Sequence, residues 1–377
     1  MLNRVPDSLH KPPARQSELD ALRGIAAIGV VLCHYFTNAR ELGFTEFDFR
    51  LGSYGPHLFF MISGYVIFMT LERTQRLRDF AYSRFTRLFP LYWICVLLSM
   101  ATINHFQLSP NGIGLVQLLG NLTMLQTWLK IEDIEVSYWT LGVELKFYAL
   151  AAAFICLRNF MTGVSSRDEE EREASAGNVR IWLREHITIE RLCAFWLAMV
   201  VLFRVADYVR PLPHVISLLL ILNYAHFFVA GIMYYLLKKY GFSLLRSGLI
   251  IAALPLAYLA EGAETTLITA ACLGVFYAFV SGSLQWICYQ PLVFMGSISY
   301  AQYLIHGSVG KAIMISFAGV GLWSSMAMAI AISTLLAWIL TIHFERPMLV
   351  LLRSFKPKTN SFPNLSYCHS EGLLKTR

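Results

Sequence analysis

The stretch Leu22-Arg23-Gly24-Ile25-Ala26-Ala27-Ile28-Gly29-Val30-Val31-Leu32-Cys33-His34 decides how this chain folds. Only apolar or small residues stand between an arginine and a histidine, and the apolar character runs from about 21 to 38. That is long enough for a helix to cross a bilayer, which takes about 17–25 residues. Arg23 and His34 are eleven positions apart, and at about 100° per residue they share one helix face, roughly 16 Å apart along the axis. Arg23 then lies near the membrane surface and His34 well inside. A charged side chain at mid-bilayer costs at least about 2.5–3.5 kcal/mol, so polar residues in such a segment need a reason. For His34 two reasons compete: a core histidine bonded between helices, or a general base, for which neutral imidazole suits.

Similar segments recur at about 54–72, 88–106, 138–157, 192–209, 214–237, 244–260, 265–282, 298–317 and 322–343, which predicts an all-α polytopic bundle of about ten transmembrane helices. Composition agrees. The chain is 56% hydrophobic and 15% charged with a mean hydropathy of +0.53, whereas globular domains hold about 45–50% apolar and about 25% charged residues. Arg4, Lys11, Arg15, Arg73, Arg76, Arg78, Arg84, Arg87, Lys238, Lys239, Arg246, Arg353, Lys356 and Lys358 all fall on one side of a ten-helix arrangement. The positive-inside rule makes that side, and both termini, cytoplasmic. Glu132, Asp133, Glu135, Glu261 and Glu264 fall opposite, while Arg204 and Arg210 fit the rule less well. The domains expected are a cytoplasmic segment at 1–18, one transmembrane domain at 19–353 and a cytoplasmic tail at 354–377. A polar loop at 158–191 interrupts the second.

The same rule accounts for the net charge of +7 without nucleic acid. The 7 cysteines have no metal-ligand spacing, so no metal site is expected. The polar start lacks the apolar core of a cleavable signal peptide.

Further polar residues interrupt the apolar segments. Glu144 lies in Tyr138-Trp139-Thr140-Leu141-Gly142-Val143-Glu144-Leu145-Lys146-Phe147-Tyr148 and needs a partner, for which His34 is a natural choice. Arg84 and Arg87, three apart, face one way on a helix; they serve either as a topology signal or as a fork for phosphate. Gly52, Gly55 and Gly64 flank Phe59-Phe60 and permit close helix packing or ligand approach. His306 in Ser299-Tyr300-Ala301-Gln302-Tyr303-Leu304-Ile305-His306 raises the same question as His34, and Glu345 and Arg346, at the inner membrane edge, read as structural salt-bridge residues.

In order, these stretches resemble the acyltransferase-3 family of membrane acyltransferases. The resemblance is carried by Leu19-Asp20-Ala21-Leu22-Arg23-Gly24 with His34 eleven after the arginine, Phe59-Phe60-Met61-Ile62-Ser63-Gly64-Tyr65, and Arg84-x-x-Arg87-Leu88-x-Pro90-x-Tyr92. Trp139-Thr140-Leu141-x-x-Glu144-x-x-Phe147-Tyr148, Ile298-Ser299-Tyr300-x-x-Tyr303-Leu304-x-His306 and Glu345-Arg346-Pro347 complete it. Pro56-His57 departs from the family pattern at the start of the second helix. The resemblance implies a multi-pass protein of the cell (inner) membrane that moves an acyl group, acetyl by default, from acyl-CoA to a hydroxyl of a sugar, polysaccharide or glycolipid. No bound cofactor is implied; acyl-CoA is a co-substrate, and the membrane lipid is the surroundings. His34 and Glu144 become the catalytic candidates, and Arg23, Arg84, Arg87, Trp139, Tyr148 and His306 the substrate-binding ones. A transporter or flippase for a glycolipid or acyl-carrying molecule also uses intramembrane charge, yet such folds are built from internal repeats, and the sequence has none.

Overall fold

The computed structural model describes residues 16–74, 76–162, 188–210 and 214–355. Residues 1–15, most of the polar loop and the tail from 356 lie outside the described residues, and the expectations for them with it. Among the described residues the regular structure is helical, without strands. Among these residues eight helical stretches are long and apolar enough to cross a membrane.

In chain order the principal elements are α1 (Ser17–Glu41), α2 (Gly55–Arg73), α3 (Leu77–His105), α4 (Leu115–Leu122), α5 (Tyr138–Thr162) and α6 (Ile189–Val209). They continue with α7 (His214–Leu219), α8 (Ala225–Tyr240), α9 (Leu244–Ile251), α10 (Ala253–Glu261), α11 (Ala263–Val280), α12 (Gln290–Ser316), α13 (Leu322–Leu340) and α14 (Arg346–Ser354). Each expected segment falls on one or two of them. The segment read as continuous over 214–237 is broken by turns between α7 and α8, where Ile221 has a positive φ of 54°. Local chemistry sets several ends. Glu18 and Asp20 occupy the first turn of α1, where the helix dipole favours acids. Pro56, Pro291 and Pro347 stand in the first turns of α2, α12 and α14, where a missing N–H costs nothing. The departure at Pro56-His57 is therefore absorbed as an ordinary helix start.

Two helices outside the set of eight, α8 and α12, form the centre of the bundle. Nearly all of α8 is buried, packed chiefly on α2, where Gly64 lies against the backbone of Phe228. The longest contact joins α1 to α12. It runs parallel, because Gly24 meets Leu292 and Gly296, His34 meets His306, and Tyr35 meets Gly310. A Cβ on Gly296 would collide with the carbonyl of Asp20, so the absence of a side chain there is what lets the two backbones touch. Between α13 and α14 the chain makes a π turn at Thr341–Glu345. Such wide turns re-aim side chains and are frequent at functional sites.

Candidate functional site

A cavity of about 580 Å³ opens among α1, α2, α3, α5, α12, the π turn and α14, a size within the usual range for small-molecule sites. Arginines crowd it: Arg23, Arg84, Arg87, Arg346 and Arg353 all line it, against the acids Asp20, Glu144 and Glu345. Arg23 bonds Asp20 one turn before it, at 3.3 Å. Arg87 pairs with the buried Glu345, which gives that acid the structural salt bridge expected of it, and Arg346 lines the cavity. Arg84 is placed differently. Its guanidinium lies 5.7 Å from the ring of Phe80 and 5.9 Å from that of Tyr148, and its buried Nε has no hydrogen-bond partner. A buried donor without an acceptor costs about 1–3 kcal/mol, while another guanidinium nitrogen, Nη2, donates to Ser83 Oγ at 3.4 Å.

Glu144 sits in the wall, where its carboxylate accepts hydrogen bonds from Ser63 Oγ at 2.7 Å and from the hydroxyl of Tyr148. The partner expected for it was His34. The structure does not bring them together, because His34 is engaged on α12. Trp139 also differs from expectation: it packs on Phe60 and Tyr224, with ring centroids 6.4 and 5.5 Å away, and is not among the cavity-lining residues.

His34 and His306 form a pair. His34 Nδ1 lies 2.7 Å from His306 Nε2; the ring planes are 1° apart with centroids separated by 4.9 Å, so the bond lies in a shared plane. The other nitrogen of His306, Nδ1, lies 3.1 Å from the carbonyl of Gln302 and 3.0 Å from that of Tyr303. A carbonyl only accepts, so Nδ1 of a neutral His306 carries its proton and Nε2 is an acceptor. The proton between the rings then belongs to His34 Nδ1, and His34 Nε2 holds a free lone pair. His306 is fully buried, whereas His34 is partly open. Neither lines the cavity. Tyr303 does; its ring lies 5.8 Å from that of His306 and its hydroxyl is 2.9 Å from Thr140 Oγ1. The cavity thus ends one residue short of the histidine pair.

The family model for the acyltransferase domain of the acyltransferase-3 group matches residues 16–342. The chain belongs to the acyltransferase-3 family. It is also 25% identical over 384 residues to the acyltransferase MdmB of Streptomyces mycarofaciens, covering 92% of this chain and 95% of that one. No solved structure matches. The motifs of an acyltransferase-3 chain thus converge on one region: Arg23, Arg84, Arg87, Glu144 and Tyr148 on the cavity, His34 and His306 beside it. This is a multi-pass membrane acyltransferase.

Sequence reading missed Glu135, counted only as an outer-loop acid. It is 3% exposed, and burial raises its carboxyl above the usual range while hydrogen bonds from Ser308 and Ser99 work in the opposite direction. Its position directly before the Trp139-containing stretch was the only signal available. Among the described residues no cluster of acid, histidine or cysteine side chains is arranged for a metal.

Proposed function

We propose that this protein transfers an acyl group, acetyl by default, from acyl-CoA at the cytoplasmic face of the inner membrane to a hydroxyl of a sugar, polysaccharide or glycolipid. The observation that carries the reading is Arg84: a guanidinium with an unpartnered buried Nε on a cavity whose Tyr303 wall lies against His306, the partner of His34. In this reading Arg84 and Arg87 hold phosphate oxygens of the coenzyme, with Arg23 next to them, and the pantetheine arm runs past Glu144 and Tyr148 toward Tyr303. His34 Nε2 takes the proton of the acceptor hydroxyl. The oxygen attacks the thioester carbonyl, the C–S bond breaks, and the imidazolium returns the proton to the departing thiolate. Atoms and charge balance without a further reactant. General-base help of this kind supplies about 10²–10⁴-fold.

The test is transfer of radiolabelled acetyl from acetyl-CoA to cell-envelope glycans in membranes carrying the protein, with His34→Ala as control. Label in glycan with the intact protein and not the variant is the expected result. Transfer by His34→Ala at the full rate would remove the base assignment. Absence of transfer from acetyl, succinyl and longer donors, with the protein inserted, would remove the donor class.

A further inference from the structure

Glu135 lies in the connection before α5, yet its carboxylate is seated against α12 beside His306. The backbone N–H of Ser308 donates to both of its oxygens, at 3.1 Å each. The hydroxyl of Ser308 donates to Oε1, and so does Ser99 Oγ of α3, at 2.7 Å. A Cβ at position 307 would run into the carboxylate, so Gly307 leaves the room that Glu135 fills. The residues that follow it grip the same turn. Ser137 Oγ donates to the carbonyl of Tyr303 at 3.0 Å and the Tyr138 hydroxyl to that of Leu304 at 3.1 Å. In a regular helix the N–H of Ser308 and the carbonyl of Leu304 serve only each other; here each also has a side-chain partner, Glu135 and Tyr138, from the entry to α5.

We propose that Glu135 is a positioning residue: with Ser137 and Tyr138 it clamps α12 over Tyr303–Ser308 and so holds the His306 ring that fixes the tautomer of His34. The inference rests on the reading of His34 as the base. Packing alone does not explain the choice of residue, because an apolar side chain would fill the space without the cost of burying a carboxylate. What the carboxylate adds is direction, since its acceptors meet three donors and two of these belong to the residue two positions after His306. The Nδ1–H of His306 in turn points at the Tyr303 carbonyl, which Ser137 also holds. A shift of this turn moves the ring nitrogen that His34 addresses.

The experiment uses the full chain in lipid nanodiscs, labelled with ¹⁵N at histidine, as wild type, Glu135→Gln and Glu135→Ala. Assignment by His34→Gln and His306→Gln spectra identifies the two rings. Wild type is expected to show both as Nδ1–H tautomers. Glu135→Gln keeps an acceptor oxygen and should keep that state, with turnover within about fivefold of wild type. Glu135→Ala should lose it for His34, with kcat lowered roughly 10-fold to 100-fold and the donor KM within about threefold. Unchanged tautomers and unchanged kcat in folded Glu135→Ala would overturn the proposal, as would equal loss of folded protein in Ala and Gln with no change at either ring. Where Glu135→Ala does not fold, Ser137→Ala, which removes one bond of the clamp, takes its place under the same readouts. A wild type without transfer activity would defeat the base reading, whereas the tautomer measurement needs no turnover and tests the clamp by itself.

Discussion

Replacing His306 by alanine removes the acceptor of the 2.7 Å bond from His34 Nδ1 while leaving the cavity wall intact, because His306 does not line it. The group left behind is an N–H beside a fully buried position. Leaving a buried donor unpaired costs about 1–3 kcal/mol, which is roughly 5-fold to 150-fold in rate if it falls on the transition state. Loss of the base itself should cost more, about 10²–10⁴-fold. If, as proposed, His306 acts only through His34, its removal should cost nothing once His34 is gone. The expected pattern is therefore a drop of about 10–100-fold for His306→Ala with an unchanged donor KM, a larger drop for His34→Ala, and a double variant no slower than His34→Ala. Initial rates of label transfer from acetyl-CoA in proteoliposomes, normalised to inserted protein, give all three. A double variant whose loss equals the product of the two single losses would show independent roles and refute the relay.

Arg84→Ala should raise the donor KM about 10-fold or more with little change in kcat; Arg84→Lys should restore it only in part, because lysine has no Nε to fill the unpartnered position. Equal KM values for both variants and wild type would remove Arg84 from donor binding. Gly296→Val should destabilise the protein by at least about 2 kcal/mol by forcing α1 off α12, read as a lowered thermal transition in detergent; an unchanged transition would contradict the close contact. With labelled acetyl-CoA and no acceptor, acid-precipitated protein should stay unlabelled. Label that depends on His34 would instead make that histidine a covalent acyl carrier.

The spans were legible because apolar runs of bilayer length seldom occur outside a membrane, and the charged and imidazole residues inside them stood out against that background. Periodicity also put Arg23 and His34 on one face. It could not say which neighbour that face meets. His34 and Glu144 looked like partners as two isolated polar residues, but the parallel contact of α1 with α12 gives His34 to His306, and Ser63 and Tyr148 satisfy Glu144. For Glu345 the sequence predicts a salt bridge but names no partner, and the π turn that carries it pairs it with Arg87. Glu135 shows the limit most clearly. Sitting near Glu132 and Asp133 it reads as a solvated loop acid, and its burial is decided by helices distant in sequence, α3 and α12.

The parallel pairing of α1 and α12 also bears on how transfer across the bundle would work. Arg23 and His34 sit on α1; Tyr300, Tyr303 and His306 sit on α12, and the two helices touch through Gly24 and Gly296. In the proposed reading the donor side and the base are thus parts of one packed unit, so a rocking motion that separates two halves of a bundle, as transporters use, would break the site it is meant to serve. Tyr303 lines the cavity, its ring lies 5.8 Å from that of His306, the partner of His34, and its hydroxyl is held by Thr140 at 2.9 Å. Breaking one hydrogen bond and turning one ring is a small barrier compared with moving helices. On the proposed route the acyl group therefore crosses by local movement at Tyr303 while α1 and α12 stay together. Cross-linking α1 to α12 near Gly24 and Gly296 should leave turnover intact, and loss of turnover on cross-linking would argue for helix motion instead.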